Sequence, residues 1–450
     1  MRACAQAVAN YLTETGLASR GLIIGYDTRF ASEDFASAAA EVVAGNGIKV
    51  YLCPKATPTP VISCGVLAKK AGGAIIITAS HNPASWNGFK YKTELGSSAS
   101  LEVTDELEKH VSQAISAGKI NQMPLAQALE QGLAQHLDLA PIYFDHLAKL
   151  IDLNGLRRAR LKVVVDPMYG AGIGYFKALL SDGAIKLIEI NSQRNPLFPG
   201  IRPEPIETNL AKLSATVKRR KASVGLALDG DADRIGIIDE NGIFLTPLQV
   251  FALLCLYLLE VRGERGAIVK TITTTSMVYR LGEIFGVPVY ETPVGFKYVA
   301  QKMIDKNGLI GGEESGGYGF RGHIPERDGI LSGLYFLDLM IKKGKSPSQL
   351  IDYLYSKVGR HYFKRIDIEF PEGKRRAITE RIKHNLPESI EGVKVVNLDT
   401  EDGFRFVLAD TTWLLIRFSG TEPVLRIYSE SDTQARVERL LKLGRELAGV

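Results

Sequence analysis

Short β-branched apolar runs alternate with helical stretches along most of the chain, and few folds accommodate that alternation. The run 72–78 (GGAIIIT) is apolar on consecutive positions, as a strand buried on both faces requires. Comparable runs stand at 21–25, 49–52, 160–166, 224–228, 267–271 and 287–291. Helical patterns separate them at 2–13, 35–46, 61–70, 174–180, 248–261 and 275–285, and another follows at 331–342. This order predicts βαβ units and mixed, largely parallel sheets. Residues 235–239 read as the continuation or hairpin partner of 224–228, with Glu240-Asn241-Gly242 as a turn. From about residue 360 the pattern changes. Strands at 365–370, 393–397, 413–418 and 425–429, with helices at 375–385 and 433–447, read as a small α+β domain.

A chain of 450 residues is too long for one ordinary core and calls for two to four domains. The same element order occurs three times without a clear sequence repeat. The Gln-rich stretch 125–153 reads as helical and carries the first boundary. The expected domains are 1–137, 138–243, 244–357 and 358–450. A hydrophobic fraction of 45% with 23% charged residues excludes disorder and coiled coil. The longest apolar stretch, 251–260, is too short and ends in a charge, so no membrane partner is expected. A net charge of +5, with no basic block interleaved with aromatics, argues against nucleic acid. The KRRK run at 218–221 reads as the solvated end of a helix. Cys4, Cys53, Cys64 and Cys255 show no CxxC spacing, which fits a reducing compartment and a cytoplasmic location.

Four motifs carry chemistry. In Asp229-Gly-Asp231-Ala-Asp233-Arg234, three carboxylates follow a buried strand. Such carboxylates repel one another unless a cation sits among them, and hard oxygen ligands favour Mg²⁺ or Ca²⁺. An EF-hand is disfavoured because Arg234 stands where that loop needs glycine; a plain polar hairpin loop is the other reading. Thr78-Ala-Ser80-His81-Asn82-Pro83 ends another buried strand, where parallel sheets place ligands. Ser80 is a candidate nucleophile and His81 a candidate base or orienting group, set against an Asn-Pro turn with a capping serine. Lys90, ten residues on, could exchange protons if desolvated.

Gly311-Gly-Glu313-Glu314-Ser315-Gly316-Gly317 flanks two carboxylates and a hydroxyl with glycines, a loop that can approach a polyhydroxylated ligand or simply be a solvated turn. His323 follows and could titrate near neutrality, although a lone histidine is more often structural. Arg417-Phe-Ser419-Gly420-Thr421-Glu422-Pro423 offers an arginine, two hydroxyls and an open backbone, the makings of a phosphate cradle or of an ordinary turn. Metal site, nucleophile, hydroxyl binder and phosphate cradle, one per expected domain, are what sugar-phosphate phosphoryl transfer requires.

TASHNP with NGFK, then DGDADR, GEESGG and RFSGTEP, in this order, resemble the α-D-phosphohexomutase family over nearly the whole chain. GEESGG and HIPERDG look most like phosphoglucomutases. Glu314 takes the variable place in the sugar loop. Gly317 replaces a histidine found in other branches, leaving His323 as a substitute acid or base.

The resemblance implies three similar α/β domains and a smaller C-terminal α+β domain around a central cleft. It implies a phosphorylated Ser80, and Mg²⁺ held by that phosphate with Asp229, Asp231 and Asp233. Glu313 and Ser315 would hold the sugar 3- and 4-hydroxyls. Arg417, Ser419, Gly420 and Thr421 would grip the phosphate that is not reacting. Lys90 and Arg234 would assist transfer, and Lys297 would line the cleft. The implied activity is interconversion of glucose 1-phosphate and glucose 6-phosphate by a monomer or homodimer, with a hexose 1,6-bisphosphate as activator. Phosphomannomutase action and a catalytically impaired sugar-phosphate binder are the alternatives. The family opens with a strand and an arginine-bearing loop resembling FGTDGWRG. This chain starts inside the helix that would follow them. It is therefore expected to be impaired, with Arg29 partly covering as a phosphate contact.

Overall fold

Four separate sheets carry the chain in a computed structural model that describes residues 1–420 and 423–450. The first orders its strands Phe89–Lys92, Ala74–Ile77, Leu22–Tyr26, Val50–Leu52 and Ala134–His136. All neighbours are parallel except the first pair, which is antiparallel. The second runs Phe244–Leu245, Ile235–Ile238, Val224–Leu228, Lys162–Asp166 and Lys186–Glu189. The third runs Val289–Thr292, Ile268–Thr271, Ile310–Gly312 and Tyr318–Phe320. Each thus joins a parallel core to an antiparallel edge hairpin. Ala74–Ile77, Val224–Leu228 and Ile268–Thr271 are buried throughout, because helices cover both faces.

One apolar core joins these three sheets. It contains Ile23 and Ile76 of the first sheet with Val61 of a covering helix, Val163 and Leu226 of the second with helical Phe176, and Ile268 of the third with helical Phe251 and Leu334. The helix Ala140–Leu150 contributes Tyr143 and Leu147 between them. The fourth unit is different. Its six-stranded antiparallel sheet orders Tyr362–Glu369, Val424–Ser431, Trp413–Phe418, Phe404–Leu408, Val393–Asp399 and Ser389–Ile390. Helices Arg375–His384 and Gln434–Ala448 close a separate core around Ile382, Phe406, Ile427 and Leu440. The chain therefore has three similar α/β domains and a smaller C-terminal domain with an antiparallel sheet.

The sequence reading of 125–153 as helical is corrected here. Helices Leu125–Glu130 and Ala140–Leu150 flank a strand, Ala134–His136, that pairs with Val50–Leu52. Gly132 at φ +71° stops the first helix, and sheet pairing rather than local pattern makes the strand. The KRRK run is the exposed basic end of helix Ala211–Arg220, where positive side chains complement the helix dipole. Among the described residues, no helix is long and apolar enough to cross a membrane.

Candidate functional site

Three of the motifs occupy equivalent places. The Ser80 loop joins Ala74–Ile77 to Phe89–Lys92, the aspartate loop joins Val224–Leu228 to Ile235–Ile238, and the sugar loop joins Ile310–Gly312 to Tyr318–Phe320. In each sheet the loop leaves the carboxyl end of a buried parallel strand and enters the antiparallel strand beside it. Packing the three sheets on one core brings those ends together.

The Ser80 loop is held rigidly. Ser80 lies at φ +49°, a strained region for a residue with a Cβ, and its N–H donates to Thr78 Oγ1 at 2.8 Å. Arg29, 0% exposed, commits all five guanidinium N–H groups to this arrangement. Its Nε donates to Asp27 Oδ2, Nη2 to the Ser80 and Asn82 carbonyls, and Nη1 to those of Pro83 and Trp86, at 2.6 to 3.1 Å. Thr78 Oγ1 completes the knot by donating to Asp27 Oδ2 at 2.6 Å. The phosphate contact expected of Arg29 is corrected by this geometry. The side chain anchors the loop instead and has no N–H left for a phosphate.

The aspartate loop presses against it. A Cβ on Gly230 would lie 2.3 Å from the Ser80 carbonyl oxygen, so only glycine permits the approach. Ser80 Oγ then donates to Asp229 Oδ2 at 2.7 Å. Asp229, Asp231 and Asp233 are each 0% exposed and offer oxygens within 4.8 Å of one another. Asp231 Oδ2 accepts from Lys90 Nζ at 2.7 Å and Thr59 Oγ1 at 2.6 Å. Asp231 Oδ1 and Asp233 Oδ1 are buried without a hydrogen-bond partner, Arg234 Nε standing 3.9 Å from the latter. Burial, then the charges of Asp233 and Asp231, push the Asp229 carboxyl far up. Burial also raises Asp231, but Lys90 and the hydrogen bonds around it win and hold that carboxyl low. A cluster of orphaned carboxylate oxygens under this strain fits a hard divalent cation.

Lys90 and Arg327 are the counter-charges. Burial works against the Lys90 ammonium, but Asp231 and Asp233 outweigh it and its pKa is raised. Arg327 was not singled out from the sequence, although its charge-dense setting in PERDG was a signal. Its Nη2 donates to Asp233 Oδ2 at 2.6 Å and its Nη1 to Glu313 Oε2 at 3.2 Å, so it bridges the aspartate and sugar loops. It passes through the space that a side chain at 317 would fill, since a Cβ on Gly317 would lie 2.2 Å from Arg327 Cδ. Ile235 N–H donates to the Gly316 carbonyl at 2.9 Å and ties the same two loops by backbone. Ser315 Oγ is buried and unpartnered beside Glu313.

The other expected residues divide. His81 stands by this cluster, where Arg234, then burial, then Lys90 push its pKa down to about 2, so the ring is neutral and its Nδ1 lacks a partner. Arg234 donates its N–H to Asp229 Oδ1 at 3.1 Å and sets its guanidinium 3.7 Å from Glu204. His323 sits elsewhere: its side chain is fully buried, with Nε2 2.7 Å from Asp328 Oδ2 and Nδ1 2.9 Å from His146 Nε2. That position makes it part of the packing between the third sheet and helix Ala140–Leu150 instead of a substitute for the histidine absent at 317. Lys297 lies in the first turn of helix Phe296–Lys306, its Nζ 5.1 Å from the Tyr298 ring centre. Arg417 pairs with Asp402 at 2.8 Å, next to buried Ser419 and exposed Gly420. Thr421 lies outside the described residues.

Known proteins match this arrangement throughout. The chain matches "Phosphoglucomutase/phosphomannomutase, alpha/beta/alpha domain I" at residues 1–117, domain II at 141–242 and domain III at 246–358, and the family's C-terminal domain at 374–443. It is 33% identical over 430 residues to the phosphoglucomutase/phosphomannomutase of Thermococcus kodakarensis, covering 95% of this chain and 89% of that one. It is 28% identical to the phosphoglucosamine/phosphogalactosamine mutase of Sulfurisphaera tokodaii, covering 91% and 87%. A solved Thermus thermophilus protein superimposes with a TM-score of 0.85 at 33% identity, covering 100% of this chain and 94% of that one.

Proposed function

The chain belongs to the phosphoglucomutase/phosphomannomutase family of α-D-phosphohexomutases, which are intramolecular phosphotransferases, and from that premise we propose that it interconverts glucose 1-phosphate and glucose 6-phosphate through a phosphate carried on Ser80. The observation that carries this reading is the 2.7 Å contact of Ser80 Oγ with Asp229, inside a ring of buried acids and cations to which Arg327 joins the sugar loop.

In the proposed reaction the bond between phosphorus and Ser80 Oγ breaks as a bond to the free 6- or 1-hydroxyl of the substrate forms. The hydroxyl proton ends on the Ser80 oxygen as it leaves phosphorus, and His81, whose depressed pKa leaves it neutral with an unpartnered ring nitrogen, is suited to orient that hydroxyl. Asp229, Asp231 and Asp233 would hold Mg²⁺, which supplies neutralisation of the charge on the transferring phosphoryl group. Lys90, Arg234 and Arg327 surround the same point with positive charge. Glu313 and Ser315 grip the sugar hydroxyls, Lys297 lines the cleft, and Arg417, Ser419 and Gly420 hold the second phosphate. The bisphosphate then turns over and returns its other phosphoryl group to Ser80. A hexose 1,6-bisphosphate would reprime dephosphorylated protein.

Glucose is favoured by the resemblance of the GEESGG loop to phosphoglucomutases, while the relative from T. kodakarensis is named for glucose and mannose alike. The relative from S. tokodaii makes amino sugars the competing substrates. The test is an assay of the purified chain with Mg²⁺ and bisphosphate on the 1-phosphates of glucose, mannose and glucosamine, with phosphate mapping by mass spectrometry. Glucose 1-phosphate should give the highest kcat/KM and Ser80 should carry the phosphate. A higher kcat/KM on another sugar, or phosphate on a different serine, overturns the corresponding part.

A further inference from the structure

The residue between the two proposed sugar-binding side chains turns to a partner in another domain. Glu314 takes both of its carboxylate oxygens to Arg365 Nη1, at 3.1 and 3.2 Å. Arg365 belongs to strand Tyr362–Glu369 of the C-terminal domain, so this ion pair crosses from the sugar loop to the domain with the phosphate cradle. Its Nε is paired on the other side with Asp367 at 2.9 Å. Burial works against the Arg365 charge, but Glu314 and then Asp367 outweigh it and raise its pKa.

The pair sits beside the cradle. Arg365 lies opposite Tyr428 in the antiparallel register, and Arg417 lies opposite Arg426. Tyr428 is 2% exposed, and the charges of Glu314, Arg365, Arg426 and Arg417 all act on its hydroxyl. Three arginines this close need acids among them. Asp367 and Asp402 come from the same domain, whereas Glu314 comes from the sugar loop. At its base that loop is tied to the aspartate hairpin through Ile235 and Gly316. The sugar loop is therefore fastened to the second and third domains by backbone and to the fourth through an ion pair that can open. Both partners keep some solvent access, at 17% and 27%, which makes the pair salt-sensitive and reversible.

We propose that Glu314 and Arg365 form a latch that sets the distance between the sugar loop and the phosphate cradle, making both positioning residues for the hexose phosphate. The latch rests on the mutase reading for its catalytic consequence but not for its structural one. With it closed, the hydroxyl-binding and phosphate-binding groups are registered before substrate arrives, which lowers the ordering cost of binding. With it open, the C-terminal domain swings on its smaller contact, and the bisphosphate escapes before it has turned over.

The test is a double-mutant cycle of Glu314→Gln, Arg365→Gln and both together in the full chain. It is read by small-angle scattering, by calorimetric binding of glucose 1,6-bisphosphate and by steady-state kinetics. Each single variant should enlarge the radius of gyration of the ligand-free protein and weaken bisphosphate binding by about tenfold. KM and the bisphosphate concentration needed for full activity should rise with kcat little changed, and the double variant should be no worse than either single one. Additive effects, or a lower melting temperature with unchanged scattering, binding and KM, overturn the latch. If the wild-type chain turns over no hexose phosphate, the functional reading fails, and scattering and binding still decide the latch.

Discussion

Three of the four motif-bearing loops sit on a single continuous core, and the fourth sits on a core of its own. Ile76, Leu226 and Ile268, from three different sheets, share one cluster, so the Ser80, aspartate and sugar loops are placed by packing that cannot loosen in one domain alone. The C-terminal domain meets this body through a small apolar contact of Ile272, Trp413, Leu415 and Tyr428, ringed by polar links. Thr275 and the Ser276 N–H bind Glu430, Arg405 binds Glu291, and the Val294 N–H donates to Asp402 at 2.9 Å. The groups proposed to carry out transfer lie on the shared core. The group proposed to hold the second phosphate lies on the part that a few contacts can release.

The largest effect expected on the rigid side comes from Asp231→Asn. It removes one acid from the ring and the partner of Lys90, and turnover should fall on the order of 10³–10⁴-fold, about 4–5.5 kcal/mol. Metal titration by calorimetry should weaken in parallel, with the fold intact by circular dichroism; undiminished activity in excess chelator would remove the aspartates from the chemistry. Arg29→Met comes next. It strands buried Asp27 and four carbonyls and should cost about 3–4 kcal/mol of stability. The loss should appear in the unfolding of the first three domains together; a variant as stable as wild type contradicts the anchoring role.

On the looser side, Ile272→Ala should cost about 2 kcal/mol, because the residue is 4% exposed in the interface cluster. Calorimetry should resolve a separate, earlier transition for the C-terminal domain, whereas a single cooperative transition would mean that the two parts are not distinct. The smallest effect is the pH response of the His361–Glu430 pair, 3.6 Å apart. Burial lowers the His361 pKa, but Glu430 outweighs it and the net shift is upward. Burial raises Glu430, but His361 and Thr275 outweigh it and the net shift is downward. The histidine contribution is fully present below its ordinary value of 6.5 and is lost as pH rises through the raised one. The glutamate contribution is present above 4.5 and is lost as pH falls through the depressed one. The interface should be firmest between about pH 4.5 and 6.5, and His361→Gln should flatten the upper limb of melting temperature against pH. An unchanged upper limb would assign the pH response elsewhere.

Legibility in the sequence followed the reach of each interaction. Buried strands such as 74–77 and 224–228 announce themselves as runs of consecutive apolar residues, and a loop with Asp229, Asp231 and Asp233 shows its charge density locally. Ala134–His136 does not, because it is a strand only through pairing with Val50–Leu52. Arg29 and His323 show the same limit within the site. Each looked available in its own motif, and each is committed to partners distant in sequence: Arg29 to carbonyls 51 to 57 residues away, and His323 to His146, 177 residues away. Thr59 was silent for the same reason, and Arg327 showed only a local density of charge, since the aspartates they bind lie on other segments.

The sequence by itself determined the buried parallel strands, the order of the four loops and the residue types each loop presents, because periodicity, turn chemistry and charge crowding act over a few residues. Only the tertiary structure decided which side chains are free to meet a ligand. That depends on three sheets sharing one core, on a glycine at 230 letting two loops touch, and on where long guanidinium side chains find their acceptors. Those are contacts between segments remote in the chain, and no local pattern encodes them.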